Sequence, residues 1–443
     1  MGETRIFDVV PQPTAPKSLE EAGVSLDLVV QLALKTLHFV GEMGGADLAS
    51  RLGLRYSVIE PAMLLLKSHH HVEVVGGGMV GGPSYQFRIT DAGRIRAQLF
   101  LESSHYVGAA PVPLAQYQRY MASFRTHAPK TAFRQRVKDA FAHLVVSQRV
   151  LDQLGPAINA GHSMFVYGPS GNGKTVIAQS IQRLLDGDIH VPYALEIEGA
   201  IVRLYDPLMH EQVALPDESA MLTGGDDVDR RWLRCRRPLV MVGGELTMEA
   251  LELSYNAASG FYKAPVQAVA NGGVLVIDDF GRQRMKPREL LNRWIVPLET
   301  GVDFLTLNTG QKFDLPFHVL VVFATNIRPL ELVDEAFLRR IRYKIFCESP
   351  TRDEFVRIFG SYCETRGVPF DARLVEDLLT KYYEPRGIPL RGCQPRDLIE
   401  HALSLAEYSG EPLQLTRALL RSACDSYFVD DSAAVPSSPA YHA

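Results

Sequence analysis

Gly168-Pro169-Ser170-Gly171-Asn172-Gly173-Lys174-Thr175 decides how the rest of this 443-residue chain is read. The run fits the pattern G-x-x-x-x-G-K-[ST], and its flanks are those the pattern needs. Ser163 to Tyr167 (SMFVY) predicts a buried strand, and Val176 to Leu185 (VIAQSIQRLL) predicts an amphipathic helix. Between them the glycines let backbone N–H groups turn inward on phosphates without Cβ clashes, while the helix N-terminus adds partial positive charge. In such a loop Lys174 reaches the β- and γ-phosphates of ATP and Thr175 holds Mg2+.

A second apolar run, Gly273 to Ile277, ends in the carboxylates Asp278 and Asp279. The first is expected to contact Mg2+, and the second to orient and polarise the attacking water. A third run, His318 to Ala324, is capped by Thr325-Asn326, and an Asn at such a strand end can hold the lytic water or sense the γ-phosphate. Downstream come Arg339 and Arg340, then a strand from Tyr343 to Phe346, and finally Gln394-Pro395-Arg396-Asp397 opening a helix.

In this order the motifs resemble those of the AAA+ ATPases, over roughly Ala132 to Tyr427. The resemblance implies that Asn326 is sensor 1, that Arg339 or Arg340 is an arginine finger serving a neighbouring subunit, and that Arg396 is sensor 2. It also implies that Val145 and Val146 line the adenine pocket. Most relatives carry Glu where this chain has Asp279, one methylene shorter. The hairpin Phe304–Leu307 with Lys312–Pro316, just before the sensor 1 strand, is similar to that of the pre-sensor-1 β-hairpin clade. Within that clade the segments Arg288–Glu299 and Ala264–Gly273 look MoxR-like. The fold implied is α/β, a P-loop parallel sheet with helices on both faces and a C-terminal helical lid.

In front of this core, residues 25–101 predict three helices (from Leu26, Gly45 and Ser57), a hairpin with a Gly-rich tip and a helix from Asp91. They resemble a winged helix-turn-helix. Pro61 is expected in the first turn of the third helix. The wing tip Gly76–Gly82 carries no Lys or Arg, so DNA binding is not favoured. Residues 1–24 read as a flexible arm, 102–130 as a linker, 131–348 as the ATPase core, 349–427 as the lid and 428–443 as a disordered tail.

A formal charge of -5 does not suggest a protein dominated by nucleic acid. The five cysteines are scattered, as expected of reduced thiols in a cytoplasm. No apolar run approaches the ~20 residues that span a bilayer, so no membrane insertion is expected. Two aromatic-basic stretches, Arg230–Arg237 and Gly260–Lys263, read either as client-gripping loops or as packed segments whose arginines pair with Asp226, Asp227 and Asp229. The expectation is a homo-oligomeric ATPase, hexameric by the resemblance, that remodels a protein client. The rivals are a DNA-acting regulator or motor and a nucleotide-gated scaffold with little turnover.

Overall fold

The computed structural model describes residues 11–76, 82–127, 132–213 and 227–428. At its centre five strands run parallel in the order Leu239–Val242, Val274–Ile277, Leu320–Thr325, Met164–Tyr167, Tyr343–Phe346. Every residue of Val274–Ile277 and Leu320–Thr325 is buried, as a strand covered on both faces requires. Successive side chains alternate between two cores. Phe165, Leu275, Ile277, Val321 and Phe323 join one, while Met164, Val166, Val274, Val276 and Val322 join the other. The core is thus an α/β P-loop NTPase fold, and a helical part follows it. That part packs helices Arg352–Arg366, Ala372–Leu378, Gln394–Ser409 and Arg417–Tyr427 around Phe355, Phe359, Leu398 and Leu420. Thr351 and Glu354 open it with a reciprocal capping box.

The N-terminal module contains helices Leu26–Val40, Gly45–Arg51 and Tyr56–Ser68, with a strand, Glu42–Gly44, between the first two that the sequence does not lead us to expect. Helix Leu26–Val40, capped by the Ser25 hydroxyl accepting from the Leu28 N–H, packs on helices Tyr56–Ser68 and Asp91–Ser103. Strand Gln86–Ile89 lies between Glu42–Gly44 and Val72–Gly76, antiparallel to both. Helix Tyr56–Ser68 starts early enough that Pro61 falls inside it, beyond the first turn. The central part of the wing tip lies outside the described residues, as do the first ten residues and those after Phe428.

Residues 102–130, expected as a linker, are largely built into the fold. Val112–Pro113 pairs in parallel with Ala194–Ile197, at the edge of a second five-stranded sheet with Ala200–Arg203, Phe261–Lys263 and Ser254–Asn256. Helix Leu114–His127 buries Tyr117, Tyr120, Met121 and Phe124 beside Trp232. Pro113 lies in this short edge strand, where a missing N–H is tolerated. The arm also has an anchored part, since Thr14 bridges Val228 and Ser18 caps a short helix, Leu19–Ala22.

Lys35 is the exception inside the N-terminal core. It is 1% exposed, and its Nζ donates to the Ser104 carbonyl at 3.1 Å. Burial pulls its pKa down to about 8 from 10.5. Between those values the unfolded chain binds a proton that the folded chain has released, so stability rises with pH across that window. At neutral pH the whole penalty is present. Lys35→Met is expected to stabilise the protein by about 1–3 kcal/mol at pH 7, with the gain shrinking towards pH 10. Equal urea midpoints for the two proteins at pH 7 would contradict this account.

Candidate functional site

Parallel register brings three strand ends to one side of the sheet, two of them level and the third two residues short. Thr325 lies opposite Tyr167, and Phe323 lies opposite Ile277. The segments that leave those ends, Gly168–Thr175, Asp278–Asp279 and Asn326, therefore emerge on one edge of the sheet. This is where open α/β sheets bind ligands. Two bonds stitch the edge together, from the Gly168 N–H to the Thr325 carbonyl at 3.2 Å and from the Thr325 hydroxyl to the Phe280 carbonyl at 2.6 Å.

Two glycines shape the loop. Gly168 has φ +148°, and a Cβ there would stand 2.3 Å from the Cys347 carbonyl oxygen. Gly171 has φ +80°, and a Cβ there would stand 2.6 Å from Cys393 Sγ. Pro169 and Ser170 form the outer wall, Ser170 exposed, and Gly173 caps the helix Lys174–Ser180. Lys174, 9% exposed, donates from Nζ to the carbonyls of Gly168 (3.0 Å) and Pro169 (2.9 Å). Burial lowers its pKa, and the guanidinium of Arg391 acts in the same direction against the carboxylates of Asp278 and Asp279.

Thr175 Oγ1 donates to Asp278 Oδ2 at 2.8 Å and lies 3.1 Å from Oδ1. A hydroxyl and a carboxylate held together are hard oxygen donors of the kind that suit Mg2+, an ion that keeps several waters. The inward-turned loop with its buried lysine suits a phosphate chain. The residues present therefore fit both groups. Asp279 is exposed and has φ +47°, a left-handed conformation that Asp tolerates better than most residues. Asn326 is half-buried at the end of the middle strand, and Val145 and Val146 are half-buried just before helix Gln148–Ala160.

The arginines are dispersed. Arg339 is 78% exposed and pairs with Glu335 at 3.3 Å, and Arg340 reaches Glu299 at 2.5 Å. Arg339 also lines an open cleft of about 590 Å³ with Tyr167, Arg328, Lys344 and Phe346. Arg396 is 61% exposed and bonds to Asp397 at 2.9 Å. The helical part meets the loop through residues that motif reading passed over. The Cys393 N–H donates to the Gly171 carbonyl at 2.7 Å, and the Gly392 N–H to Asn172 Oδ1 at 3.3 Å. Arg391 donates to Ser349 Oγ at 2.8 Å, and Asn172 Nδ2 approaches the same hydroxyl at 3.4 Å. The available signal was Arg391-Gly392, a cation and a small residue just before a helix N-terminus.

The two aromatic-basic stretches are packed. Trp232 and Tyr262 are buried, and Phe261 sits edge-on to Tyr106. Arg231 pairs with Asp229, both within 3% of full burial, and Arg234 pairs with Asp188. Arg236 pairs with Glu211, and Arg237 donates to the Gly272 carbonyl. Of the expected acidic partners, Asp226 lies outside the described residues, and Asp227 pairs with Arg55 instead. Among the described residues, the aromatic rings of both stretches are packed and four of the arginines are bonded, while Arg230 and Lys263 are exposed.

Gly171→Ala places a Cβ on a left-handed residue against Cys393, so it should both strain the loop and push the helical part away. Nucleotide affinity, read with a fluorescent ATP analogue, is expected to fall about tenfold or more, with the circular dichroism of the fold retained. Unchanged affinity would mean that the contact with Cys393 plays no part in the loop's shape.

Residues 351–426 match the model of a domain of unknown function (DUF8689). No curated protein matches the chain. Among solved structures it is similar to the RuvB Holliday junction branch migration motor of Thermotoga maritima, at 14% identity and TM-score 0.36 over 64% of this chain and 70% of that one. It is also similar to NtrX from Brucella abortus in complex with ATP, at 16% identity and TM-score 0.37 over 76% of this chain and 67% of that one.

Proposed function

We propose that the chain is an AAA+ ATPase that hydrolyses ATP between copies of itself and uses the cycle to remodel a protein partner. The observation that carries the reading is the convergence at one sheet edge of a buried Lys174, a Thr175–Asp278 pair and an acid, Asp279, at the next position. Thr175 and Asp278 would hold Mg2+, which when bound neutralises charge on the phosphates. Lys174 would exchange its loop carbonyls for the β- and γ-phosphate oxygens. Asp279 would take the attacking water as a hydrogen-bond donor and draw its proton, with Asn326 fixing the water from the neighbouring strand.

Arg339, 78% exposed, with Arg340 beside it, supports a finger offered to the next copy. That arrangement would require a ring, which we take to be hexameric. Arg391 is the cation that the helical part brings nearest the loop, and it shares with Arg396 the candidacy for reading nucleotide state. The packed basic stretches and the uncharged wing tip favour a protein client over DNA.

Phosphate release with MgATP is the test. Wild-type protein should turn over, and Lys174→Ala should reduce turnover to background. An Arg339→Ala/Arg340→Ala variant should lose about 100-fold or more in kcat. Mixing that variant with Lys174→Ala should restore part of the activity through hybrid interfaces. A monomer in ATP that is indifferent to loss of both arginines would defeat the ring.

A further inference from the structure

We infer that Gln283 is a positioning residue for Asp279, fixing the direction from which that carboxylate meets the attacking water; the inference rests on the hydrolysis reading above. The chain turns sharply after strand Val274–Ile277. Asp279 has φ +47° and Gly281 φ +106°, while Phe280 between them is 1% exposed. Gln283 closes this turn with one side-chain amide. Its Nε2 donates to the Asp278 carbonyl at 2.8 Å, and its Oε1 accepts from the Gly281 N–H at 2.8 Å. The chemistry of the two partners fixes the orientation of the amide, since a carbonyl needs the nitrogen and an N–H needs the oxygen.

Other backbone groups of the turn are bonded as well. The Asp279 N–H donates to Asp278 Oδ1 at 3.0 Å, and the Arg282 N–H donates to the Asp279 carbonyl at 2.9 Å. The Phe280 N–H donates to the Ala324 carbonyl at 2.8 Å, and its carbonyl accepts from the Thr325 hydroxyl at 2.6 Å. The turn is therefore welded to the strand that Asn326 follows. Asp279's own carboxylate is exposed and makes no hydrogen bond among the described residues. Its aim comes from the backbone alone, and a left-handed residue stays in place only where its surroundings over-determine it. Gln283 supplies two of the six bonds, and of the three side chains that take part, those of Asp278, Thr325 and Gln283, it alone belongs neither to the proposed metal-binding pair nor to a strand.

The same geometry accounts for the short acid. A left-handed backbone favours Asp over Glu, and a carboxylate close to the main chain follows the main chain closely. The direction of Asp279 then depends on the turn, and the turn depends on Gln283.

Steady-state kinetics with MgATP on the full chain test this, using Gln283→Leu, which removes both bonds, and Gln283→Glu, which keeps only the acceptor. Both are expected to lower kcat roughly 10- to 100-fold, with KM and the affinity for a fluorescent ATP analogue within about twofold of wild type. Asp279→Asn combined with Gln283→Leu should be no slower than Asp279→Asn alone, because a positioning residue has nothing left to position. Hydrogen exchange at the Gly281 amide should quicken in Gln283→Leu while the thermal midpoint moves by a few degrees at most. Wild-type kcat in Gln283→Leu, or equal losses in kcat and nucleotide affinity, would overturn the inference while leaving the hydrolysis reading standing. Absence of turnover in the wild type would overturn both.

Discussion

Parallel pairing of three strands, Val274–Ile277, Leu320–Thr325 and Met164–Tyr167, is the constraint on which the rest depends. It sets the heights at which three segments leave the sheet, and so decides that Thr175, Asp278 and Asn326 share one edge. A slip of one residue would exchange the two cores, because each strand sends alternate side chains to opposite faces. Phe165, Phe280 and Phe323, with ring centroids 5.0–6.1 Å apart, resist that slip by filling one of those cores. The site is thus fixed by packing beneath it before any polar contact is made.

The second sheet changes what the N-terminal module can do. The His105 N–H donates to the Ser259 carbonyl at 2.8 Å, and Gly260 lies so close to Ser103 that a Cβ would stand 2.3 Å from its carbonyl. Arg231, 1% exposed, ties Asp229 to the Ala22 carbonyl and to Gln116. A buried pair of this kind adds little net stability compared with apolar residues, yet it is costly to break on one side. Its consequence here is geometric. The short helix Leu19–Ala22, helix Leu114–His127 and the second sheet are held in one arrangement, where a loose spacer would leave them independent.

Elements with a local signature were legible in sequence. Helix Leu26–Val40 and strand Tyr343–Phe346 lie where the sequence reading put them, and the loop Gly168–Gly173 joins a strand to a helix as expected. What periodicity could not supply was pairing between distant segments. Val112–Pro113 is too short and too proline-rich to read as a strand, and it becomes one only because Ala194–Ile197 lies beside it. Of the two readings of the aromatic-basic stretches, the packed one is what the structure has, and one expected pair, Arg231 with Asp229, is present. The other partners, Asp188 and Glu211, are remote in sequence, and charge counting in a window does not see them. Within the candidate site, motif spacing singled out the loop and the two acids, which the fold brings to one edge of the sheet. The approach of Cys393 to Gly171, and the amide of Gln283 across its turn, belong to no pattern and emerge only from coordinates.

These contacts also divide the molecule by what can move. The turn after Ile277 is bonded to the middle strand at Ala324 and Thr325, so Asp279 and the base of Asn326 form one rigid unit. The helical part touches the phosphate loop through two backbone donors, Gly392 and Cys393, together with the hydroxyl of Ser349, which both Arg391 and Asn172 approach. Few contacts of modest strength separate more readily than a buried sheet. A ligand in the loop would compete for Asn172 and Gly171 with the helical part and would leave the acid's turn undisturbed. Under the proposed reading, nucleotide would be sensed at the junction of loop and helical part, while the turn that carries Asp279 would keep its geometry.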